Sequence, residues 1–361
     1  MNVEDKIIII GGGLSGLLLA YQLEKLNVRS LFLEASNRLG GRIQTLTGVH
    51  GTPLELGATW FSDMHPNLLA LIGDLGLTKF PQYSKGVSLF QTKSFEPAQQ
   101  FYVSGAETPS YRLSGGTQQL IDTLAVRLKS TEIILNANAD RITEAGTHVD
   151  VMTSEGQTYK GLVAVVCLPP QLAASQIKFE PILPDAVNKV LPAVQTWMAG
   201  SVKFTLEYGE PFWRNKGFSG MLYSHAGVVV EMYDHTNIEE TLFGFTGFLN
   251  GGAANYDLEV RKEFVLRQLT DLFGAEAASP LTYQDKVWND KYLLSGNPII
   301  ERPHQFNGHH LLQQAYLNQK LLFCGTETSP ICGGYMEGAV ISATRVAEQI
   351  RTFLNHTPHR A

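Results

Sequence analysis

The feature that most restricts what this chain can fold into stands within its first sixteen residues. A short β-branched run at 6–10 stops at Gly11-Gly12-Gly13-Leu14-Ser15-Gly16, and apolar residues at helical spacing continue over 14–26. Strand, turn and helix in that order fit G-x-G-x-x-G. Gly11 permits the tight turn, Gly13 lets backbone approach a pyrophosphate, and Gly16 lets helix and strand pack closely. The helix, with Ser15 in its first turn, then points its positive end at the phosphates. A second strand at 30–33 completes a β-α-β unit and ends at Glu34 and Ala35. Glu34 lies about 18 residues past Gly16, close to the roughly 20 expected for the acid that accepts ribose hydroxyls. NAD and FAD satisfy this much equally.

Composition narrows the partners. A net charge of −6 with scattered Lys and Arg leaves no basic footprint for nucleic acid or an anionic membrane. Three cysteines, Cys167, Cys324 and Cys332, lack metal-ligand spacing and read as free thiols in a reducing compartment. The histidines, including His304, His309 and His310, lie in a Pro/Gly/Asn-rich stretch without metal-site context and read as surface residues; no metal site is expected. The first residues lack the pattern of an export signal, and no apolar run reaches the roughly 20 residues a spanning helix needs. A soluble, cytoplasmic protein is expected.

Along the chain, 57–111 reads as irregular, 115–125 opens an amphipathic helix, and 132–135, 147–153 and 162–168 read as strands. Strands dominate 199–248; 256–273 reads as a helix, 321–324 as a strand and 338–354 as a closing helix. The α/β pieces lie at the two ends with a β-rich module between them. The expected class is α/β: a discontinuous Rossmann-like nucleotide-binding domain (1–75, 112–170 and 300–361) with an inserted α+β substrate domain (76–111 and 171–299).

The segment Glu34-Ala-Ser-Asn-Arg-Leu-Gly-Gly-Arg42 resembles the second glycine–arginine signature of the large FAD amine oxidase superfamily. Gly40 and Gly41 allow close backbone approach, and Arg42 supplies a fork of donors for a diphosphate oxygen. Phe323-Cys-Gly-Thr-Glu-Thr328, followed by Gly333-Gly-Tyr-Met-Glu-Gly-Ala339, is similar to the closing motif of flavin monoamine and polyamine oxidases. The resemblance implies that Glu327 faces the ribityl–phosphate region of FAD and that Tyr335 and Met336 lie against the isoalloxazine. Backbone N–H groups at the start of the last helix, around Ala339, would stabilise the negative charge of reduced flavin. Leu56-Gly-Ala-Thr-Trp60 resembles the segment that passes beside the flavin ring, which brings Gly57, Ala58 and Thr59 to the cofactor. Arg112-Leu-Ser-Gly-Gly-Thr117 resembles the return to the FAD domain, after which Ala139 meets the adenine; Cys167-Leu-Pro-Pro170 resembles the exit from it. The match covers about 1–60 and 112–361 in consistent order. The chain is identified as a short member of the flavin-containing monoamine oxidase family.

Ser201-Val-Lys203-Phe-Thr-Leu-Glu-Tyr-Gly-Glu-Pro-Phe-Trp213 is similar to the family strand that carries the active-site lysine, which holds a water against flavin N5. Alternation puts Lys203 on the strand's polar face, where the bland reading is a solvated lysine. Trp288 resembles the tryptophan packed near that lysine, and Tyr335 one wall of the aromatic cage that flanks the amine. The family's covalent-flavin cysteine falls on Asn297 and its second cage tyrosine on Pro298, so non-covalent FAD is expected and Trp60 is a candidate replacement wall. The stretch from Gly57 to Gly115 is shorter than in the mammalian enzymes, which implies a more open cavity. The resemblance implies oxidation of a small amine to an imine by hydride transfer to flavin N5, with O₂ returning the electrons as H₂O₂. An FAD-dependent dehydrogenase or desaturase of a non-amine substrate, and a flavoprotein kept as a binding module, stay open at this point.

Overall fold

A computed structural model describes residues 6–289 and 304–356. Its first layer is a six-stranded sheet in the order Ala315–Tyr316, Leu321–Phe323, Val163–Val166, Ile7–Ile10, Ser30–Leu33, Glu132–Ile134. All neighbours are parallel except the first pair. Strand Ile7–Ile10 sits inside this sheet and is buried on both faces, which is why it reads as an unbroken β-branched run and not as an alternation. Its side chains still obey the period of two. Ile7 and Ile9 join a cluster with helices Leu14–Lys25, Pro66–Leu75, Gln118–Arg127 and Met336–His356. Ile8 and Ile10 join a second cluster, with the sheet of Thr158–Gly161, His148–Thr153, Ala139–Ala145 and Lys178–Glu180 on the other face. Each fully buried Ile contributes about 1.5–3 kcal/mol, so removing one large side chain here is costly.

A seven-stranded sheet forms the second module, in the order Thr282–Val287, Val202–Tyr208, Phe243–Leu249, Val229–Asp234, Phe218–Ser224, Gly86–Gln91, Gln99–Val103. Helix Leu258–Phe273 packs against it through Val265, Leu269 and Phe273. The stretch 57–111 is more regular than its composition suggests, since it holds helix Pro66–Leu75 and two strands of this sheet. That helix has no side-chain cap of its own. Its N-terminal N–H groups are satisfied from a distance: Glu337, buried near the start of the last helix, accepts from Asn67 N at 3.1 Å and Leu68 N at 2.7 Å. No local sequence signal could announce a cap supplied 270 residues away. Among the described residues no helix is long and apolar enough to cross a membrane.

Strand Val202–Tyr208 is buried along its whole length, so its polar alternation does not face water. Glu207, fully buried, accepts from Val49 N, His50 N and Thr52 N and from the Thr52 hydroxyl, and so caps the turn of the hairpin Thr45–Thr47/Pro53–Glu55. The polar face of the strand binds the hairpin that leads into 55–59. That contact carries the second module up against the nucleotide-type sheet.

Candidate active site

A cleft opens at the C-terminal ends of the parallel strands. Gly11, Gly13 and Ser15 line it where helix Leu14–Lys25 begins. No side chain caps that helix, so its first N–H groups are directed at the cleft. A Cβ on Gly13 would meet no protein atom within 4 Å, because the space beside it is the cleft itself. Gly16 lies behind, where a Cβ would come 2.3 Å from the Gly11 carbonyl oxygen and 3.0 Å from Phe32. Glu34 and Ala35 line the next part of the cleft. The Glu34 carboxylate is already oriented: one oxygen accepts from Gly12 N, the other from Ser36 N at 2.8 Å and the Ser36 hydroxyl at 2.6 Å. Gly41, Arg42, Ala58 and Ala139 line further stretches.

Arg42 and Glu327, placed separately by the sequence motifs, form one bidentate pair at 2.6 and 3.0 Å. Glu327 is fully buried behind Arg42, which itself borders the cleft. Arg38 went unnoticed in the sequence, although it shapes the glycine loop. Its guanidinium donates to the carbonyls of Leu39, Gly41 and Ile43. The signal was present, a second arginine four residues before Arg42, but nothing in spacing separates a loop-holding arginine from a ligand-binding one. Met336 and Ala339 line the cleft at the start of the last helix, where Thr326 braces the turn by donating to Tyr335 O and accepting from Gly334 N.

The segment 55–59 is clamped from both sides. On one side Leu56 N and Gly57 N donate to Gln44 O, and Ala58 N to Arg42 O. The approach is so close that a Cβ on Gly57 would lie 2.4 Å from Arg42 O. On the other side three successive carbonyls are taken by side chains of the seven-stranded module. Thr246 Oγ1 donates to Glu55 O, Trp288 Nε1 to Leu56 O at 2.7 Å, and Lys203 Nζ to Gly57 O at 2.6 Å. Lys203 also donates to Thr59 Oγ1. Gly57 and Thr59 thus face Lys203 and not the cleft, whereas Ala58 between them lines it.

Lys203 is 2% exposed, so it is not a solvated surface lysine. Burial pulls its ammonium down from 10.5 to about 7; the Glu55 charge opposes the fall and Arg112 adds to it. Burial likewise raises the Glu55 carboxyl, against Lys203 and the Thr117 N–H. His235 is held well below its ordinary value by burial and by the Arg112 and Lys203 charges. Lys203 Nζ stands 4.8 Å over the Trp60 ring. Trp288 is buried and borders the cleft beneath Lys286 Nζ, 4.0 Å over its ring.

Tyr335 lines the same cleft and is 43% exposed. Asn297 and Pro298 lie outside the described residues. Trp60 makes its ring contacts with Tyr233 at 5.0 Å and Phe248 at 6.3 Å. The ring parallel to Tyr335 is His304, at 5.6 Å and 15°, and His304 in turn stacks on Trp197 at 4.5 Å. The expectation that His304 is a surface residue is corrected here. Packing between two aromatic rings, invisible to a count of polar neighbours in sequence, half-buries it.

These donors fit a flavin dinucleotide. An uncapped helix start, an unfilled space beside Gly13, a fixed carboxylate at the end of the second strand and a paired arginine follow one another along one cleft. Comparison with known proteins agrees. The family model of flavin containing amine oxidoreductases matches residues 14–93 and 86–351. A "Probable flavin-containing monoamine oxidase A" of Dictyostelium discoideum is 24% identical across 97% of this chain and 98% of its own. Cyclohexylamine oxidase from Brevibacterium oxydans shares the fold with a TM-score of 0.85 at 21% identity, over 98% of this chain and 100% of that one. Putrescine oxidase bound to putrescine shares it with a TM-score of 0.82 at 19% identity, over 97% and 99%. The fold and the family model together place the chain among the flavin-containing amine oxidoreductases, FAD-dependent enzymes that oxidise amines.

Proposed function

We propose that this chain binds FAD without a covalent link and oxidises a small primary or secondary amine to its imine. Bound FAD would supply the two-electron acceptor for the amine, with O₂ as the final acceptor giving H₂O₂. The chain's residues do the rest. Gly11, Gly13, Ser15, Gly41 and Arg42 hold the diphosphate, with Gly16 behind them letting helix and strand pack; Glu34, Ala35 and Ala139 hold the adenosine. Glu327 keeps Arg42 in place. Tyr335, Met336 and Ala339, with Ala58 opposite, border the ring, and Gly57 and Thr59 hold Ala58 there through Lys203. Tyr335 offers the amine an aromatic face that orients its α-carbon. Trp288 fixes the Leu56 carbonyl and so the path of the segment beside the ring.

The observation that carries this reading is Lys203. A buried lysine whose ammonium falls to about 7 exchanges a proton at neutral pH, and it stands behind the segment that borders the same cleft as Tyr335. With a water, Lys203 assists reoxidation or imine hydrolysis. Relatives that act on cyclohexylamine and putrescine support a compact amine as substrate. We also read the chain as a cofactor unit and an inserted substrate unit, with the crossing nearer 195 than 171. Strand Lys178–Glu180 pairs with Ala139–Ala145, and Leu183 to Val194 pack in the cluster of Ile8.

The test is direct. Purified holoenzyme is mixed anaerobically with a panel of amines, flavin bleaching is followed, and air is then admitted with a peroxide assay. Bleaching by an amine and stoichiometric H₂O₂ are expected. A flavin that stays yellow with every amine yet bleaches with a non-amine substrate would overturn the proposal.

A further inference from the structure

Two of the three cysteines meet at the floor of the cofactor cleft. Strands Val163–Val166 and Leu321–Phe323 are parallel neighbours with Val166 opposite Phe323, and Cys324 N donates to Val166 O at 2.8 Å. Cys167 and Cys324 are the next residues on each. They occupy the same face, since Val163, Val165 and Cys167 share one cluster with Leu322 and Cys324, while Val166 and Phe323 belong to the other. In-register neighbours on adjacent strands lie about 4.8 Å apart, inside the Cα range of roughly 4.4–6.8 Å that a disulfide spans. Cys167 lines the cleft beside Gly11, so a small molecule in the cleft reaches its sulfur, and Cys324 lies fully buried behind it.

The surroundings favour a reactive sulfur. Arg345, on the last helix, donates to Gln349 Oε1, Phe323 O and Thr328 Oγ1, all neutral acceptors, and its buried Nε has no partner. The groups that favour its charge are the two thiols. Cys324 Sγ lies 3.6 Å from Ser342 Oγ. Burial would raise the Cys324 thiol, but the Cys167 S–H, the Arg345 charge and the Ser342 hydroxyl together lower it, while burial and its neighbour raise Cys167.

We propose that Cys167 and Cys324 form a peroxide-reactive dithiol that closes to a disulfide. The Cys167 sulfur, which lines the cleft, attacks one oxygen of H₂O₂; the O–O bond breaks, the hydroxide that leaves takes up the Cys167 proton as water, and Cys167 becomes a sulfenic acid. The Cys324 thiolate then attacks Cys167 Sγ, the S–O bond breaks, and the leaving hydroxide takes up the proton that Cys324 released, giving a second water. Two thiols are oxidised and one peroxide is reduced to two waters. The oxidant is the product assigned above, so the biological source rests on that reading, while the thiol chemistry does not. The bond joins two adjacent strands of the cofactor sheet that are remote from each other in sequence.

The test uses holoenzyme and added H₂O₂, read by thiol titration, intact mass and peptide mapping. Two of three thiols disappear, the mass falls by about 2 Da, and one cross-linked peptide contains Cys167 and Cys324. Cys332→Ser, which has only the two remaining thiols, loses both and keeps the mass change and the cross-link; Cys167→Ala and Cys324→Ala each abolish the cross-link. Unchanged thiols, or a cross-link that involves Cys332, would overturn the proposal. In a second arm, amine turnover in air replaces added peroxide. A disulfide with added peroxide but none during turnover leaves the dithiol standing and removes the oxidase as its source.

Discussion

Replacing Lys203 by Met removes a buried amine and keeps most of its volume. The fold lowers the ammonium from 10.5 to about 7, chiefly by burial. At about 1.36 kcal/mol per unit, that shift is a proton-linked cost of about 5 kcal/mol. Below pH 7 folded and unfolded chains both carry the proton, and the wild type bears the whole cost. Between pH 7 and 10.5 the unfolded chain still binds a proton that the folded chain has released, so wild-type stability rises with pH. The Met variant lacks this dependence. The hydrogen bonds to Gly57 O and Thr59 Oγ1 change the variant's absolute stability but not the slope. The assay is urea unfolding of both proteins at saturating FAD, from pH 7 to pH 9. The wild type should gain on the variant by about 2–3 kcal/mol over that interval. Subtracting the two proteins cancels the shared groups other than Glu55 and His235, which feel the Lys203 charge. A difference that stays flat with pH would show that Lys203 is not held near 7, and the proton-exchange role assigned to it would fall with that result.

Glu207→Ala leaves three backbone N–H groups and a hydroxyl of the 49–52 turn without their acceptor. A loss of about 3 kcal/mol in urea unfolding is expected, with flavin released at lower urea than in the wild type. Gly13→Ala puts a methyl into the cleft at a φ of −81° that alanine accepts. Stability without flavin should stay within about 1 kcal/mol while FAD affinity, measured by fluorescence titration, falls at least tenfold. For Tyr335→Ala, which removes the aromatic face at the cleft, anaerobic bleaching by amines should slow by about 10- to 100-fold, whereas Tyr335→Phe should stay within about threefold because the ring is kept.

Much of the cofactor cleft was legible before any coordinates. Local chemistry dictates it: a β-branched run, glycines where backbone must approach closely, and an acid at the end of the next strand all lie within 6–42. The closing segment 323–339 was legible as a resemblance, and it lies on the same cleft. Lys203 could be located by its strand but not characterised. Its burial depends on the hairpin 45–55 folding over a strand some 150 residues later, and alternation alone points it to solvent. Helix Pro66–Leu75 was missed for the same kind of reason, since its cap arrives from Glu337. His304 as a surface residue was misread, because ring stacking is decided by which loops meet.

The amino-acid sequence by itself determined the β-α-β start, the parallel sheet it begins and the glycine turn that receives a dinucleotide, because each depends on backbone freedom and short-range periodicity. Only the tertiary structure decided which polar residues are buried together. It paired Arg42 with Glu327, set Lys203 against Gly57 and Thr59, stacked His304 on Tyr335, and brought Cys167 beside Cys324. The charge state and reactivity of such groups follow from desolvation and from neighbours tens to hundreds of residues away, and no local pattern in a chain encodes either.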